Sequence, residues 1–281
     1  MPTFDTPTPI SATIDLGLGD VRITAGDRAT TVVDVRPSDP SNDGDVRAAN
    51  ATRIELANGR LLVKAPKLRQ WLPRTDGGSI DVTVELPAGS NINGSAGSAD
   101  FRCDGRLGTC RIKIGLGTIE VDQADSLHLK SGAGDITVDH ATGAAELTAG
   151  SGELRVRELD GDAVIKNSNG DTWVGAAAGD VRLSSANGSI AVDVAGASVV
   201  AKTANGDVRL REVVRGSVAL ETHIGDVEVG VREGTAAWLD VNARAGKVHN
   251  ALTAADSPGP SAERVEVRAR TSVGDIVIRR P

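Results

Sequence analysis

The sequence is short of aromatic residues and cysteine. Its 281 residues include no Tyr, and only 2 Phe, 3 Trp and 2 Cys. Two cysteines are too few for a scaffold held together by disulfides. Because aromatic residues make up only 2% of the chain, a hydrophobic core must be built from Val, Ile, Leu and Ala. No apolar run approaches the roughly 18 to 20 residues of a membrane-spanning helix, so we expect no membrane span.

The charges are mixed in sign, and the chain has a net charge of −7 with 25% charged residues. Phosphate binding needs a basic footprint, so this balance disfavours nucleic acid as a partner. The first residues, MPTFDTPTPISATIDLG, lack the basic and apolar regions of a secretory signal. We therefore expect a cytoplasmic protein as the chain is written, or an extracellular one if a leader was removed.

Glycine, in contrast, is abundant, with 33 residues. Glycines recur at nearly constant spacing along much of the chain, and every interval from Gly134 to Gly206 is 18 residues. A fixed period of this length is typical of repeat proteins. The recurring positions are Gly97, Gly117, Gly134, Gly152, Gly170, Gly188, Gly206, Gly225, Gly246 and Gly274.

Each repeat contains two short alternations of apolar and polar residues, the pattern of a half-buried β-strand. Two strands and two turns in this length make one coil of a parallel β-solenoid, whose coils bury their apolar rows by stacking. The predicted fold is all-β: a parallel β-solenoid (β-helix) of about 18 residues per coil, with two short strands per coil and an N-terminal β cap. Residues predicted to face the core include Ile119, Val121, Leu127, Leu129, Leu154, Val156, Val181, Leu183, Ile190, Val192, Val218 and Leu220.

The first 90 residues are less regular than the rest. Residues 1–90 are predicted to form an N-terminal β segment that starts or caps the solenoid, and residues 91–281 to form the solenoid itself, with about ten coils. The segment SDPSNDGD, residues 38–45, is rich in turn-forming residues and predicts a loop. The segment DSPGPSAE, residues 256–263, predicts a second loop before a final coil.

Tight turns are predicted where Asn precedes Gly, because this dipeptide favours positive φ. Three such turns lie one coil apart, so their Asn side chains could hydrogen-bond as a ladder. Aspartates that directly follow glycine are expected to bond turn amides, because they lack the spacing of the calcium-binding nonapeptide. We therefore expect no metal site and no cofactor. The predicted turn residues are Asn169, Gly170, Asn187, Gly188, Asn205 and Gly206.

The repeated units resemble a known family. The string GSIDVTVELPAGS at residues 78–90 is followed by SGAGDITVD, NGDVRL and VGDIVI units. This ordered series of Gly-Asp-aliphatic units resembles the bacterial putative-adhesin proteins, a β-strand-repeat domain of unknown function, over nearly the whole chain. The resemblance implies a β-helix-like solenoid and brings no established catalytic residues to this sequence.

Most candidate binding residues lie on the first predicted strand of successive coils. Trp173 lies between inward Thr172 and Val174, so its ring should point to solvent. An exposed Trp beside arginines can be an interaction hot spot or a cation–π site; the alternative is a ring that lies flat over its neighbours. His223 occupies a turn position and could mark a local site. The candidate binding residues are Arg155, Arg157, Trp173, Arg209, Arg211 and His223.

The remaining cysteine and tryptophan residues favour structural roles. Cys103 and Cys110 share the inward parity of their strands, which predicts buried thiols; a disulfide between them is left open. Trp71 and Trp238 are expected to be packing residues as readily as binding residues.

A regular scaffold without a convergent set of reactive groups favours a non-enzymatic protein. The leading hypothesis is an interaction protein that binds a protein partner or forms a homo-oligomer. One alternative is a cell-surface adhesin, as the resemblance implies. Another is an enzyme that acts on a sugar or an acidic substrate through outward carboxylates of the solenoid surface, such as Glu120, Asp122 and Asp139. No catalytic residue is assigned.

Overall fold

The computed structural model describes residues 1–66, 78–253 and 263–281. The protein is nearly all-β, with 71% strand and 3% helix, which confirms the predicted β-solenoid class. Two compact units divide the chain, Met1–Thr142 and Gly143–Pro281.

The first unit contains, within its described residues, nine strands and one helix. They are β1 (Thr3–Asp5), β2 (Ser11–Gly26), β3 (Thr30–Pro37), α1 (Asp43–Asn50), β4 (Arg53–Ala57), β5 (Arg60–Lys64), β6 (Ser79–Pro87), β7 (Asn91–Leu116), β8 (Ile119–Ala133) and β9 (Ile136–Ala141).

Parallel pairing dominates this unit. Strand β2 pairs in parallel with β5 and β6 along one edge and with β7 along the other, and the stack continues from β7 to β8 and β9. Antiparallel pairs join β1 to β3, β3 to β6 and β4 to β5. Helix α1 packs against β3 and β6. The predicted boundary between a cap and regular coils at residues 90 and 91 stays a prediction.

The predicted loop at residues 38–45 is wrong at its C-terminal end, because helix α1 begins at Asp43. The Asn42 side chain accepts a hydrogen bond from a backbone N–H of the first turn, which is the usual N-cap interaction. Buried Asp45 accepts a hydrogen bond from the backbone N–H of Ser79 at 2.9 Å. These two side chains give the segment a helical start that its turn-like composition conceals.

In the described part of the first unit, the core holds one aromatic ring. Phe101 is fully buried, although the predicted core was aliphatic. Gly94 makes the room, since a Cβ at this position would lie 2.6 Å from Cε1 of Phe101. Cys103 and Cys110 are buried with free thiols, which confirms their predicted inward orientation. Trp71 lies outside the described residues.

The second unit contains fourteen strands within its described residues. They are β10 (Ala145–Ser151), β11 (Leu154–Leu159), β12 (Ala163–Asn169), β13 (Thr172–Ala177), β14 (Val181–Asn187), β15 (Ile190–Ala195), β16 (Val199–Asn205), β17 (Val208–Val213), β18 (Gly216–Ile224), β19 (Val227–Val231), β20 (Ala236–Ala245), β21 (Val248–Asn250), β22 (Arg264–Val273) and β23 (Ile276–Arg279).

These strands form two parallel series, which we call series A and series B. Series A runs β10, β12, β14, β16 and β18, and series B runs β11, β13, β15, β17 and β19. Residues 18 apart face one another on successive coils, as Ala163 faces Ala145 and Val181 faces Ala163. The predicted inward residues are buried, so the alternation identified the core face correctly.

The last coil in the sequence is not the last coil of the stack. Strands β22 and β23 pair with β18 and β19 on one side and with β20 and β21 on the other. The inserted coil buries Val267, Ile276 and Ile278 completely, whereas Leu239 of the outer coil is only half-buried. The more apolar coil thus takes the inner position. The predicted loop at residues 256–263 lies outside the described residues except for its last one.

Candidate functional site

A column of glycines forms one turn of each coil in the second unit. Gly188 has φ = +139°, a conformation that favours glycine. A Cβ at Gly188 would also lie 2.5 Å from the carbonyl carbon of Gly170 in the preceding coil. Gly206 has the same relation to Gly188, with φ = +140° and a Cβ distance of 2.5 Å. Close stacking of the coils therefore requires glycine here.

The asparagines before these glycines form a ladder. Asn187 donates its Nδ2 to Oδ1 of Asn169 at 2.9 Å, and Asn205 donates to Oδ1 of Asn187 at 2.8 Å. The next positions of the column are Ile224 and Val273, which face each other in register. Their side chains are 57% and 53% exposed, so the column changes from polar to apolar.

Aspartates after the glycines bond backbone amides, as predicted. Asp171 accepts from the backbone N–H of Ser189 at 2.8 Å, and Asp207 accepts from that of Asp226 at 2.9 Å. Asp226 in turn accepts from the backbone N–H of Asp275 at 2.8 Å. Each of these bonds joins one coil to the next, which gives the carboxylates a structural role.

Trp173 lies on the outer face of series B, as its parity predicts, but its ring is half-buried. It lies over Gly175, where a Cβ would be 3.0 Å from Cη2 of the ring. On the adjacent strand, Arg155 faces Trp173 in register. The Arg155 guanidinium lies 6.0 Å from the ring centroid, within cation–π range. An Arg155 nitrogen also bonds the Glu153 carboxylate at 2.6 Å.

The other series B arginines lie further along the same face. Trp173 faces Ala191 on β15, and Ala191 faces Arg209 on β17, so Arg209 lies two strands, about 10 Å, from Trp173. Arg209 bonds Asp207 at 2.8 Å, and Arg157 and Arg211 are exposed. The structure therefore brings Arg155 against Trp173 and holds Arg209 apart from it.

His223 does not belong to this face. It is exposed near the end of β18, in series A. Its nearest charged neighbour on the strand is Glu221, whose pKa is lowered first by a hydrogen bond from Lys202 and less by the charge of His223. The Lys202 Nζ lies 2.8 Å from the Glu221 carboxylate. His223 thus lies near a surface ion pair that is separate from Trp173.

An acidic groove of about 200 Å³ lies on the first unit. Its carboxylates are Asp104, Glu120, Asp122 and Asp139, with Arg102 among them. Arg102 forms ion pairs with Asp104 at 3.3 Å and with Glu120 at 3.1 Å. Asp122 accepts a hydrogen bond from a backbone N–H of the unit at 3.0 Å. These bonds give Asp104, Glu120 and Asp122 structural partners, and the enzyme alternative stays a prediction.

The outer coil of the second unit carries exposed apolar residues. Trp238 on β20 is 58% exposed and Val248 on β21 is 42% exposed. The choice between a packing and a binding role for Trp238 stays a prediction. The sequence carries one sign that this coil is irregular. Gly246 and Gly274 are 28 residues apart, which departs from the period of the other coils. In the described parts of the chain, no helix has the length and apolar character needed to cross a membrane.

Comparison with solved structures finds distant likenesses. A putative adhesin from Parabacteroides distasonis is 12% identical, with 98% of this chain and 95% of that chain covered and a TM-score of 0.43. A putative adhesin from Bacteroides fragilis is 10% identical, with 99% and 95% covered and a TM-score of 0.34. A putative lipid binding protein from Parabacteroides distasonis is 10% identical, with 99% and 95% covered and a TM-score of 0.35. These likenesses identify neither a ligand nor a partner of this chain.

Among curated proteins, none is significantly similar to this chain. A family model does match it: the family described as Toastrack DUF4097 matches residues 11–279. The match spans nearly the whole chain and confirms the resemblance to a β-strand-repeat domain of unknown function. This protein belongs to the Toastrack DUF4097 family.

Proposed function

We propose that the protein is a non-enzymatic β-solenoid scaffold that binds a protein partner through the outer face of series B. The binding surface, which we call the Trp173 patch, consists of Arg155, Arg157, Trp173, Arg209 and Arg211. The observation that carries the proposal is the in-register pair in which the Arg155 guanidinium lies 6.0 Å from the centroid of the half-buried Trp173 ring.

A Trp held in this way suits a binding hot spot. Because the ring lies over Gly175, little side-chain entropy is lost when a partner covers its exposed part, and ordering costs are a large term in association. Small Ala191 on the adjacent strand leaves space beside the ring. Trp and Arg are the residues most enriched at energetic hot spots of protein interfaces.

The arginines indicate the chemistry of the partner. Arg155 and Arg209 already bond Glu153 and Asp207 at the surface, and exposed ion pairs contribute only about 0–1 kcal/mol. A partner carboxylate can therefore replace them at small cost. The patch fits a protein segment that presents an acidic side chain beside an apolar one, which would cover Trp173.

The test is affinity capture from the source cells followed by quantitative mass spectrometry. The bait is the full chain, the test variant carries Trp173→Ala with Arg209→Ala, and the control variant carries Arg182→Ala. Arg182 is an exposed arginine of series A, so it matches the arginine loss away from the patch. We expect one protein to be retained by the wild type and the control but lost from the double variant.

Binding of every captured protein by the double variant at wild-type strength would remove the Trp173 patch from the proposal. The adhesin alternative stays a prediction and has its own test, which is fractionation of the source cells. Native protein found only in the cytosol would contradict surface adhesion without affecting the Trp173 patch.

A further inference from the structure

The outer coil of the second unit has an open strand edge. Strand β20 pairs with β22, and β21 with β23; on their other side, neither faces any strand of the described chain. The backbone N–H of Ala236 donates to the carbonyl of Glu263 at 2.8 Å. Because a parallel ladder uses alternate residues, Ala236 and the even residues as far as Asn242 bond β22. The N–H and C=O groups of Leu239, Val241 and Ala243 therefore point to the open edge, which can pair with another strand. The alternation ends there, because the Ala245 carbonyl accepts a hydrogen bond from the backbone N–H of Gly274 at 3.0 Å.

The hydrophobic interior is also open at this end. Val248 faces inward, in register with fully buried Ile276, yet it is 42% exposed. Leu239 is in register with fully buried Val267 and is only half-buried. The apolar row thus continues to the last coil and meets solvent there, so burial against another molecule would extend the core.

We propose that this end binds a second copy of the chain, with β20 pairing antiparallel to β20 of the partner about a two-fold axis at Asn242. In this register Asp240 lies opposite the partner's Arg244, and Arg244 opposite the partner's Asp240. Each chain therefore contributes both signs of charge, and two ion pairs flank the axis. Both residues lie on the outer face of β20, and Arg244 is exposed.

The backbone alternation agrees with this register. Val241 and Ala243, whose N–H and C=O groups point to the open edge, lie opposite each other and exchange hydrogen bonds. Asp240 and Arg244 then form a non-hydrogen-bonded pair, in which opposing side chains approach most closely. Asp240 already accepts a bidentate pair from Arg270 at 2.9 and 2.7 Å, but a carboxylate has about four acceptor sites. An axis at Asp240 or at Arg244 would instead set like charges opposite each other.

A C2 interface must be self-complementary, and the spacing of Asp240 and Arg244 about Asn242 satisfies that condition. The inference goes beyond the proposed function and uses none of the residues of the Trp173 patch. Dimerisation through β20 and partner binding through that patch can therefore succeed or fail separately.

The first test is sedimentation velocity on the full chain from micromolar to near-millimolar concentrations, where even weak association is populated. We expect a monomer–dimer equilibrium for the wild type. Arg244→Glu sets Glu opposite Asp240 and should abolish the dimer, and Asp240→Lys sets Lys opposite Arg244 and should do the same. An equimolar mixture of the two variants restores both ion pairs and should form a heterodimer. Arg182→Glu, on β14, is the control and should dimerise like the wild type.

A second measurement tests the register. Asn242→Cys places two thiols across the axis, and mild oxidation should convert the protein to a disulfide-linked dimer much faster than Ser184→Cys, which is exposed on β14. A wild type that stays monomeric throughout, a dimer that survives Arg244→Glu, or a variant mixture that stays monomeric would each overturn the proposal. A wild-type monomer whose β20 edge binds a different protein would also overturn it.

Discussion

Substitution of Gly188 by alanine should destabilise the second unit strongly. The left-handed conformation costs a residue with a Cβ about 1–2 kcal/mol. The new Cβ would lie 2.5 Å from the carbonyl carbon of Gly170, so adjacent coils must separate. That shift strains the hydrogen bonds from the Gly170 N–H to the Asn187 carbonyl and from the Gly188 N–H to the Asn205 carbonyl, both 2.8 Å. With about 1 kcal/mol for each bond, the expected loss of unfolding free energy is about 3–4 kcal/mol.

Two control variants separate backbone conformation from the clash between coils. Gly234 has φ = +81° with no atom within 4 Å of its Cβ position, so Gly234→Ala should cost about 1–2 kcal/mol. Gly179 does not have positive φ, but its Cβ would lie 2.6 Å from the Gly161 carbonyl carbon. Gly179→Ala therefore measures the clash alone and should cost about 1–3 kcal/mol.

The assay is urea unfolding followed by far-ultraviolet circular dichroism and by tryptophan fluorescence, which Trp173 and Trp238 report from the second unit. Gly188→Ala should lower the midpoint more than either control. Equal unfolding free energies for Gly188→Ala and Gly234→Ala would refute the prediction. They would show that backbone conformation alone, and not the close stacking of coils, requires glycine in the column.

The remaining predictions concern the ladder and a buried thiol. Asn187→Ala removes both side-chain bonds of the ladder, to Asn169 and to Asn205; because these bonds are exposed, urea unfolding should show a loss of only about 1 kcal/mol, and a loss above about 3 kcal/mol would contradict a surface ladder. The hydrogen bond to Cys110, and then burial, raise the pKa of Cys103 above the ordinary thiol value of 9.0. The contribution of the Cys103 thiol to stability is therefore complete below pH 9. It is lost as the pH rises towards the raised pKa, because between these two values the thiol ionises in the unfolded chain but not in the folded protein. Unfolding free energy should fall by about 1.4 kcal/mol per pH unit above this point, and Cys103→Ala should remove that part of the slope; an identical slope in the variant would refute the assignment.

Local alternation was sufficient to predict the core face of each coil. Leu154, Val192 and Leu220 are buried as predicted, because the side-chain period of two depends only on the strand itself. The turn aspartates were also predicted correctly, since their bonds repeat with the coil period. These features need no knowledge of which coil lies next to which.

Features that depend on the packing of particular side chains, or on which coils lie next to each other, could not be predicted. The coil of β22 and β23 lies between the coil of β18 and β19 and the coil of β20 and β21, because it is more apolar than the latter. This order can be recognised only when the apolar contents of the two competing coils are compared. The half-buried ring of Trp173 depends on Gly175 two residues further along its strand, although parity alone placed it correctly on the outer face. Phe101 fits the core because Gly94 lies against it, and no spacing in the sequence connects these two residues.

The proposed interaction scaffold is tested most directly by calorimetric titration of the captured partner, once purified, against the wild type and Trp173→Ala. A central hot-spot residue contributes about 2 kcal/mol or more, which corresponds to an affinity loss of about thirtyfold. We predict a loss of this size for Trp173→Ala and wild-type affinity for Arg182→Ala. Equal affinity of the wild type and Trp173→Ala would contradict binding through the Trp173 patch.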